Sequence, residues 1–219
     1  MTPDYERAAL KATETLIKYN IRHAPVDPYD ILQKLDNVLV LSFSEMSDFL
    51  GVDRHRLIST FGLTNQDAVT SVYDVDGKRH YLIAYNKQLS FALHQRAMAR
   101  ELGHIMLGHD GTLPDEVRTA EARFFAHHLM CPRPLLKAVQ DSGITFTVEL
   151  LGNLTGCYEH CLSCMRQHPG VHIPPELNRQ VRAQFDDYIK DFLNIEILLS
   201  MEDLSRLADF GTYMEGYEE

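Results

Sequence analysis

Apolar residues recur along this chain with two different periods, which predict a mixed first part and a helical second part. Ala12 and Leu16 belong to a set spaced as on the buried face of a helix. Two runs rich in β-branched and aromatic residues then flank Asp76 and Gly77, a pair typical of a tight β-hairpin turn. After Asn86 the helical period continues almost to the last residue.

Residues that begin or end helices refine the boundaries of these elements. Asp27 followed by Pro28 is typical of a helix start, and Pro132 after Cys131 marks a helix end. The predicted strands are 38–43, 69–75 and 79–85, and the predicted helices are 5–19, 28–35, 90–108, 115–130, 134–141, 148–154, 158–166, 176–200 and 201–214. We therefore expect an α+β fold, with a small, mainly antiparallel sheet packed on helix 90–108 and a helical C-terminal half.

The composition is that of an ordinary globular protein with an acidic surface. The 219 residues carry 21 Lys and Arg against 31 Asp and Glu, a net charge of −10, which disfavours direct binding of nucleic acid. The first residues lack the pattern of a signal peptide, and no apolar run is long enough to span a bilayer. We therefore expect a cytoplasmic protein that does not enter a membrane and whose four cysteines are reduced thiols.

The chemically informative segment is the predicted helix 90–108, which carries Arg100, Glu101 and His104. In many zinc peptidases a helix with the pattern His-Glu-x-x-His places two imidazoles on one face and a glutamate general base beside the metal. Here the glutamate and the second histidine are present, whereas arginine stands at the position of the first histidine. A bare Glu-x-x-His pattern is common by chance, so its interpretation depends on the surrounding residues.

The surrounding residues resemble those of the ImmA/IrrE family of metallo-endopeptidases. Residues 99–109 read Ala-Arg-Glu-Leu-Gly-His-Ile-Met-Leu-Gly-His, where the family's helix typically reads Ala-His-Glu-Leu-Gly-His-x-x-Leu-Gly-His. Residues 119–132, which contain Glu-Ala-Arg-Phe-Phe-Ala and end in Leu-Met-Cys-Pro, look like that family's second helix. The resemblance implies a zincin-like, gluzincin-type core over 1–136, with a helical C-terminal extension over 137–219 packed on it.

The resemblance also implies a zinc site in which Glu101 is the general base, His104 and Glu121 are metal ligands and water is the fourth ligand. Arg100 replaces the remaining ligand, and a guanidinium has no lone pair for a metal. Its charge at about 4 Å repels a divalent cation by roughly 8 kcal/mol at an effective dielectric constant of about 20. We therefore expect a vestigial or weak metal site. The guanidinium of Arg100 can bind Glu121 or Glu101 in place of the metal, and we hypothesise an Arg100–Glu121 ion pair.

Two hypotheses of function follow from this site. Characterised members of the family cleave repressor proteins, so the first hypothesis is a pseudo-peptidase without a cofactor, which controls a phage or mobile-element repressor by binding it. The expected partner is a helix-turn-helix-type transcriptional repressor. The second hypothesis is an active zinc-dependent endopeptidase, in which His104 and Glu121 hold the metal together with a substitute third ligand, His109 or His128.

Cys157, Cys161 and Cys164 suggest a third hypothesis of a different class. Their spacing suits three corners of an iron–sulfur cluster, and with a further ligand it suits zinc. The same spacing also gives an apolar stripe on a helix, where free cysteine packs as a small hydrophobic residue. A cysteine-based metal or redox sensor and a purely structural helix both remain open.

The last stretch of the chain, residues 196–219, is strongly acidic. It contains seven Asp and Glu residues against a single base, Arg206. We interpret this run as a solvated helix face followed by a tail.

Overall fold

A computed structural model describes residues 1–60, 66–156 and 171–195. Its strands are β1 (Val38–Ser42), β2 (Ala68–Val75) and β3 (Lys78–Tyr85). Its helices are α1 (Tyr5–Lys18), α2 (Pro28–Leu32), α3 (Phe43–Leu50), α4 (Arg54–Thr60), α5 (Phe91–Met106), α6 (Asp115–Met130), α7 (Arg133–Asp141), α8 (Val148–Thr155) and α9 (Pro175–Gln184). Residues 186–195 are also helical, after a one-residue break at Phe185. The predicted α+β class is confirmed.

The sheet is mixed, with strand order β1-β3-β2. β2 and β3 form the predicted antiparallel hairpin, and both turn residues have positive φ, 51° at Asp76 and 73° at Gly77, as a type I′ turn requires. β1 pairs with β3 in parallel, from Val38 opposite Tyr81 to Ser42 opposite Tyr85. The expectation of a mainly antiparallel sheet therefore holds for only one of these two pairings, because α3 and α4 carry the chain across between β1 and the hairpin.

The helix α3 was not predicted, although its start has a clear local signal. The Ser42 side chain accepts a hydrogen bond from the Glu45 backbone N–H, and the Glu45 carboxylate accepts one from the Ser42 N–H. This reciprocal arrangement is a capping box, which satisfies two backbone donors that a helix start leaves unpaired. The apolar residues before it read as a continuing strand, so the cap was missed.

Helices cover both faces of the sheet, as the neighbouring residues Ile83 and Ala84 of β3 show. Ile83 belongs to the main core, which includes Met98 and Leu102 of α5. Ala84 points to the opposite face, where it packs in a smaller cluster. That cluster is formed with Phe43 and Met46 of α3 and Leu57 of α4.

The main core also joins α5 to α6 and continues into the later helices. Phe125 and Leu129 of α6 are fully buried in it, as are Val181 and Phe185 near the end of α9. α7 and α9 pack against each other, and α9 also packs against α1. The later helices thus share one core with the earlier elements, whereas the boundary proposed near residue 136 and the zincin-like core stay predictions.

Some of the predicted features lie outside the described residues, namely the helices 158–166 and 201–214, the end of helix 176–200, and Cys157, Cys161 and Cys164.

Cys131 at the end of α6 is disulfide-bonded, so the expectation of reduced thiols is wrong for this residue. Within the described residues, no helix is both long enough and apolar enough to cross a membrane.

α5 and α6 pack closely against each other at Gly103. A Cβ atom at this position would lie 3.0 Å from the Ala122 carbonyl oxygen and 3.0 Å from a ring carbon of Phe125. The first of these atoms is backbone and cannot rotate away, so a side chain here would require the helix backbones to shift. Glycine costs a helix interior about 1 kcal/mol relative to alanine, and its presence reflects this contact.

We predict that Gly103→Ala lowers the free energy of unfolding by about 1–3 kcal/mol, because the added methyl group forces the two helices apart. Urea denaturation followed by circular dichroism measures this change. Gly152→Ala in α8 is the matched control, since a Cβ atom there meets nothing within 4 Å. The control should stabilise the protein by about 0.5–1 kcal/mol through helix propensity, and equal effects of the two variants would contradict the close contact.

Candidate functional site

The two helices that meet at Gly103 carry the residues of the candidate site. α5 contributes Arg100, Glu101 and His104, and α6 contributes Glu121. Glu101 and Glu121 are 2% and 3% exposed, so both carboxylates are withdrawn from water. A buried carboxylate must be paired or hydrogen-bonded, and the partners of these two groups define the site.

Glu101 is held by Arg100 and Thr70. The Nε and Nη2 atoms of Arg100 donate to the Glu101 Oε1 at 2.9 and 2.8 Å, and Nη2 also donates to the Ala68 carbonyl oxygen at 2.9 Å. The Thr70 hydroxyl donates to Glu101 Oε2 at 2.7 Å. Both carboxylate oxygens thus accept hydrogen bonds from the protein, and the pair connects α5 to strand β2.

The hypothesised ion pair between Arg100 and Glu121 is therefore wrong. Arg100 folds back onto the adjacent Glu101 instead of reaching across to α6. The backbone carbonyl of Ala68 fixes this orientation, because it binds the same guanidinium nitrogen. Glu121 has other partners, which come from the first turn of α1 and from the segment after α5.

Glu121 is bound by Asp4, Arg7 and His109. Its Oε1 accepts the Asp4 backbone N–H at 2.8 Å, and its Oε2 lies 3.1 Å from His109 Nε2 and 3.5 Å from Arg7 Nη1. Arg7 Nη2 also donates to the Leu107 carbonyl oxygen. The first turn of α1 thereby closes the site over the end of α5. Asp4 and Arg7 were missed because they lie more than a hundred residues from Glu121 and no local pattern relates them.

A Schellman motif at the end of α5 turns His109 toward His104. Gly108 adopts a left-handed φ of 67°, its N–H donates to the Ile105 carbonyl oxygen, and the His109 N–H donates to the His104 carbonyl oxygen. The two imidazoles meet at 2.9 Å between their Nδ1 atoms. Gly108 was recognised in the sequence as a helix end, and the turn it makes buries His109 within the site instead of leaving it at a frayed end.

The hydrogen bonds assign a tautomer to each imidazole. The Glu121 carboxylate accepts only, so His109 carries its proton on Nε2 and its Nδ1 has a lone pair. His104 must then donate through Nδ1, which leaves the lone pair of a neutral His104 on Nε2. Two consecutive hydrogen bonds thus connect Glu121 to His109 and His109 to His104.

The electrostatics keep both imidazoles neutral near pH 7. Burial lowers the pKa of His104 from its usual value to about 4, and the charges of Arg100 and Arg118 act in the same direction while Glu101 opposes them. Burial also lowers the pKa of His109, although its hydrogen bond to Glu121 opposes the shift. The hydrogen bond between the two Nδ1 atoms requires His109 to be neutral, since its Nδ1 must accept.

The donor groups do not converge on a metal position as they stand. Both ring nitrogens of His109 already have protein partners, Nδ1 with His104 and Nε2 with Glu121, so neither presents a lone pair to an ion in this arrangement. Arg100 offers no lone pair at the remaining position. Among the residues that the structure describes, no group of three or more His, Cys, Asp or Glu side chains is arranged to hold a metal ion. The residues present therefore do not fit the zinc that the resemblance implies.

The proposed substitute ligands differ in their surroundings. His109 contacts both His104 and Glu121, whereas the ring of His128 is buried against Phe124 with a centroid separation of 4.7 Å. His109 would have to exchange its present partners before it could bind a metal together with Glu121. A ligand role for either histidine stays a prediction.

Comparison with known protein families identifies the region that contains most of this site. Residues 58–154 match the family model described as Peptidase_M78, the IrrE N-terminal-like domain. The match includes Thr70, Arg100, Glu101, His104 and Glu121, but not Asp4 and Arg7. No curated protein and no solved structure matches the chain.

We predict that the protein loses stability as the pH falls from about 6.5 toward 4. In the folded protein the pKa of His104 is about 4, whereas in the unfolded chain it returns to its ordinary value of 6.5. The unfolded state therefore binds more protons in this window, and the free energy of unfolding decreases by up to about 1.4 kcal/mol per pH unit for this residue. Urea denaturation at a series of pH values measures the slope.

The variant His104→Gln tests the origin of this slope. It should show a shallower pH dependence than the parent over the same window, because one buried imidazole that resists protonation has been removed. His55→Gln on α4, where the imidazole is exposed, is the control. If both variants keep the parent's slope, His104 is not its source.

Proposed function

Residues 58–154 belong to the ImmA/IrrE family of metallopeptidase-like domains, and we propose that this chain is a degenerate member that binds its target without cleaving it. The proposed target is a helix-turn-helix-type transcriptional repressor of a phage or mobile element. One observation carries the proposal, namely that Arg100 stands at the position of a metal ligand and holds the general base Glu101 in a two-nitrogen contact.

The Arg100–Glu101 contact opposes catalysis in two ways. Arg100 puts a permanent positive charge where the family has a neutral ligand, and it occupies one oxygen of the carboxylate that would accept a proton from water. Thr70 occupies the other oxygen. Separating Arg100 from Glu101 would leave a carboxylate that is 2% exposed without its cation, at a cost on the order of 3 kcal/mol.

The edge of the sheet offers a surface for an extended segment of the target. In the part of the sheet that the structure describes, β2 is an edge strand and pairs only with β3. Its second half carries the exposed side chains of Val72, Tyr73 and Val75, and its first half is tied to the site through Thr70. An exposed strand edge can bind an extended peptide through backbone hydrogen bonds, with side-chain contacts adding specificity.

An active zinc-dependent endopeptidase is the second candidate function. The position of His109 beside both His104 and Glu121 favours it, because this imidazole would become a third ligand if it exchanged these two hydrogen bonds for a metal. The cysteine-based sensor rests on Cys157, Cys161 and Cys164, which lie outside the described residues, and it stays a prediction.

We predict that the protein as purified, after incubation with zinc and removal of the excess, contains far less than one zinc per chain. The variant Arg100→His should take up about one, because it restores the missing imidazole and removes the repelling charge. Elemental mass spectrometry measures the metal content. Arg96→His is the matched control, since it places a histidine one turn earlier on α5 and should bind no additional zinc.

The Glu121→Ala change separates the two candidate functions. If the parent carries one zinc per chain and Glu121→Ala loses it, Arg100 is no obstacle to the metal and the active peptidase is the better account. If Arg100→His gains zinc and the further change Glu121→Ala removes it, the site is a metal site silenced at one ligand.

We further predict that the complex with the target repressor survives a chelator and leaves both chains intact. Size-exclusion chromatography followed by gel electrophoresis tests this. The candidate partners are helix-turn-helix repressors encoded by neighbouring genes. Tyr73→Lys should weaken the complex, because it places a charge on the exposed part of β2. Cleavage of the repressor that stops on addition of chelator would contradict the proposal.

A further inference from the structure

A groove with a volume of about 910 Å³ lies between α7 and α9, in the helical part of the chain. Its charged lining contains four basic side chains and two acidic ones, which are Arg133, Lys137, Arg179, Arg182, Asp141 and Asp186. The groove is therefore a basic surface on a protein whose net charge is −10. Such a concentration of positive charge favours an acidic occupant.

Three of the four basic side chains of the groove form ion pairs with acidic residues close to them in the chain. Lys137 pairs with Asp141 at 3.1 Å, Arg182 with Asp186 at 2.9 Å, and Arg179 with Glu176. The side chain of Lys137 is 73% exposed and that of Arg182 is 41% exposed. Exposed ion pairs of this kind contribute little to stability, so an incoming carboxylate can replace the local one at small cost.

The groove also has an apolar component. Leu136 and Ala138 of α7, Ala183 of α9 and Phe146 in the connection after α7 contribute to its lining. A basic rim over an apolar floor fits a helix that carries both acidic and apolar residues.

Residues 196–219 have this combination. Their seven acidic residues stand against one base, and Leu204 and Leu207 are among the apolar residues of the helix predicted over 201–214. We propose that the groove between α7 and α9 is the docking site of the chain's own acidic segment 196–219, whose carboxylates pair with the basic side chains of the groove. This inference is independent of the function proposed for the site on α5 and α6.

The covalent connection favours this occupant over an acidic protein in solution. Asp186 lines the groove, and residues 186–195 are helical up to the start of the segment, a distance of about 14 Å along the helix axis. The 24 residues of the segment can span far more than this when extended, at about 3.3 Å per residue. A tethered ligand of this kind has an effective concentration in the millimolar range, which a partner at cellular concentration does not reach.

Hydrogen exchange of the full chain, followed by mass spectrometry, tests the proposal. Peptides from 201–214 should exchange about tenfold faster in the double variant Lys137→Glu/Arg179→Glu than in the parent, because two attractive charge pairs become repulsive. The double variant Lys34→Glu/Arg123→Glu has the same net charge but changes exposed residues in the turn after α2 and on α6, and it should exchange like the parent.

A charge swap identifies the segment as the occupant. The variant Glu202→Lys/Asp203→Lys should also lose protection of 201–214, and its combination with Lys137→Glu/Arg179→Glu should recover it. Exchange of 201–214 that is equally fast in the parent and in every variant would overturn the proposal. Loss of protection in Lys137→Glu/Arg179→Glu and in Glu202→Lys/Asp203→Lys without recovery in the combination would also overturn it, because it would show that these charges do not pair with each other.

Discussion

The close contact of α5 with α6 at Gly103 sets the distance between the two helices that carry Glu101, His104 and Glu121. Because Gly103 has no side chain, the Ala122 carbonyl oxygen can approach to a distance that a Cβ atom would not allow. Glu101 and His104 flank this glycine on α5, and Glu121 lies beside Ala122 on α6. A helix pair held at this distance brings two carboxylates and an imidazole into one buried region. Their mutual positions follow from the packing of the two helices.

Burial of two carboxylates in this region requires compensation, and the protein supplies it with its own side chains. Arg100 and Thr70 satisfy Glu101, while Asp4, Arg7 and His109 satisfy Glu121. In a metal-binding relative a divalent cation would neutralise such a pair of groups. Here the guanidinium of Arg100 contributes the charge on one side and that of Arg7 on the other. These contacts occupy the carboxylate oxygens of Glu101 and Glu121 and both ring nitrogens of His109.

The contribution of α1 shows that the site extends beyond the segment that matches the family model. Asp4 caps α1 with its side chain, which accepts the Arg7 backbone N–H, while its backbone N–H binds Glu121. Arg7 links the same carboxylate to the Leu107 carbonyl oxygen at the end of α5. These contacts hold the carboxylate of Glu121 on the side of α1. The first turn of α1 therefore sets the orientation of Glu121, the predicted metal ligand. A match confined to residues 58–154 could not have shown this.

The sequence alone determined the features that depend on neighbouring residues. The Asp76–Gly77 hairpin, the bounds of α6 and the helix that carries Glu101 and His104 all follow from local patterns, and the structure confirms them. The start of α3 is also local, since Ser42 and Glu45 form its capping box.

Only the tertiary structure decided which partners the buried charged groups select. From the sequence, Arg100 could reach either Glu101 or Glu121, and its choice depended on the Ala68 carbonyl oxygen, which a separate strand supplies. The parallel pairing of β1 with β3 and the contact of Arg7 with Glu121 likewise join residues far apart in the chain. Local patterns carry no information about such pairs, because they form only when packing of the apolar faces has fixed the distances between elements.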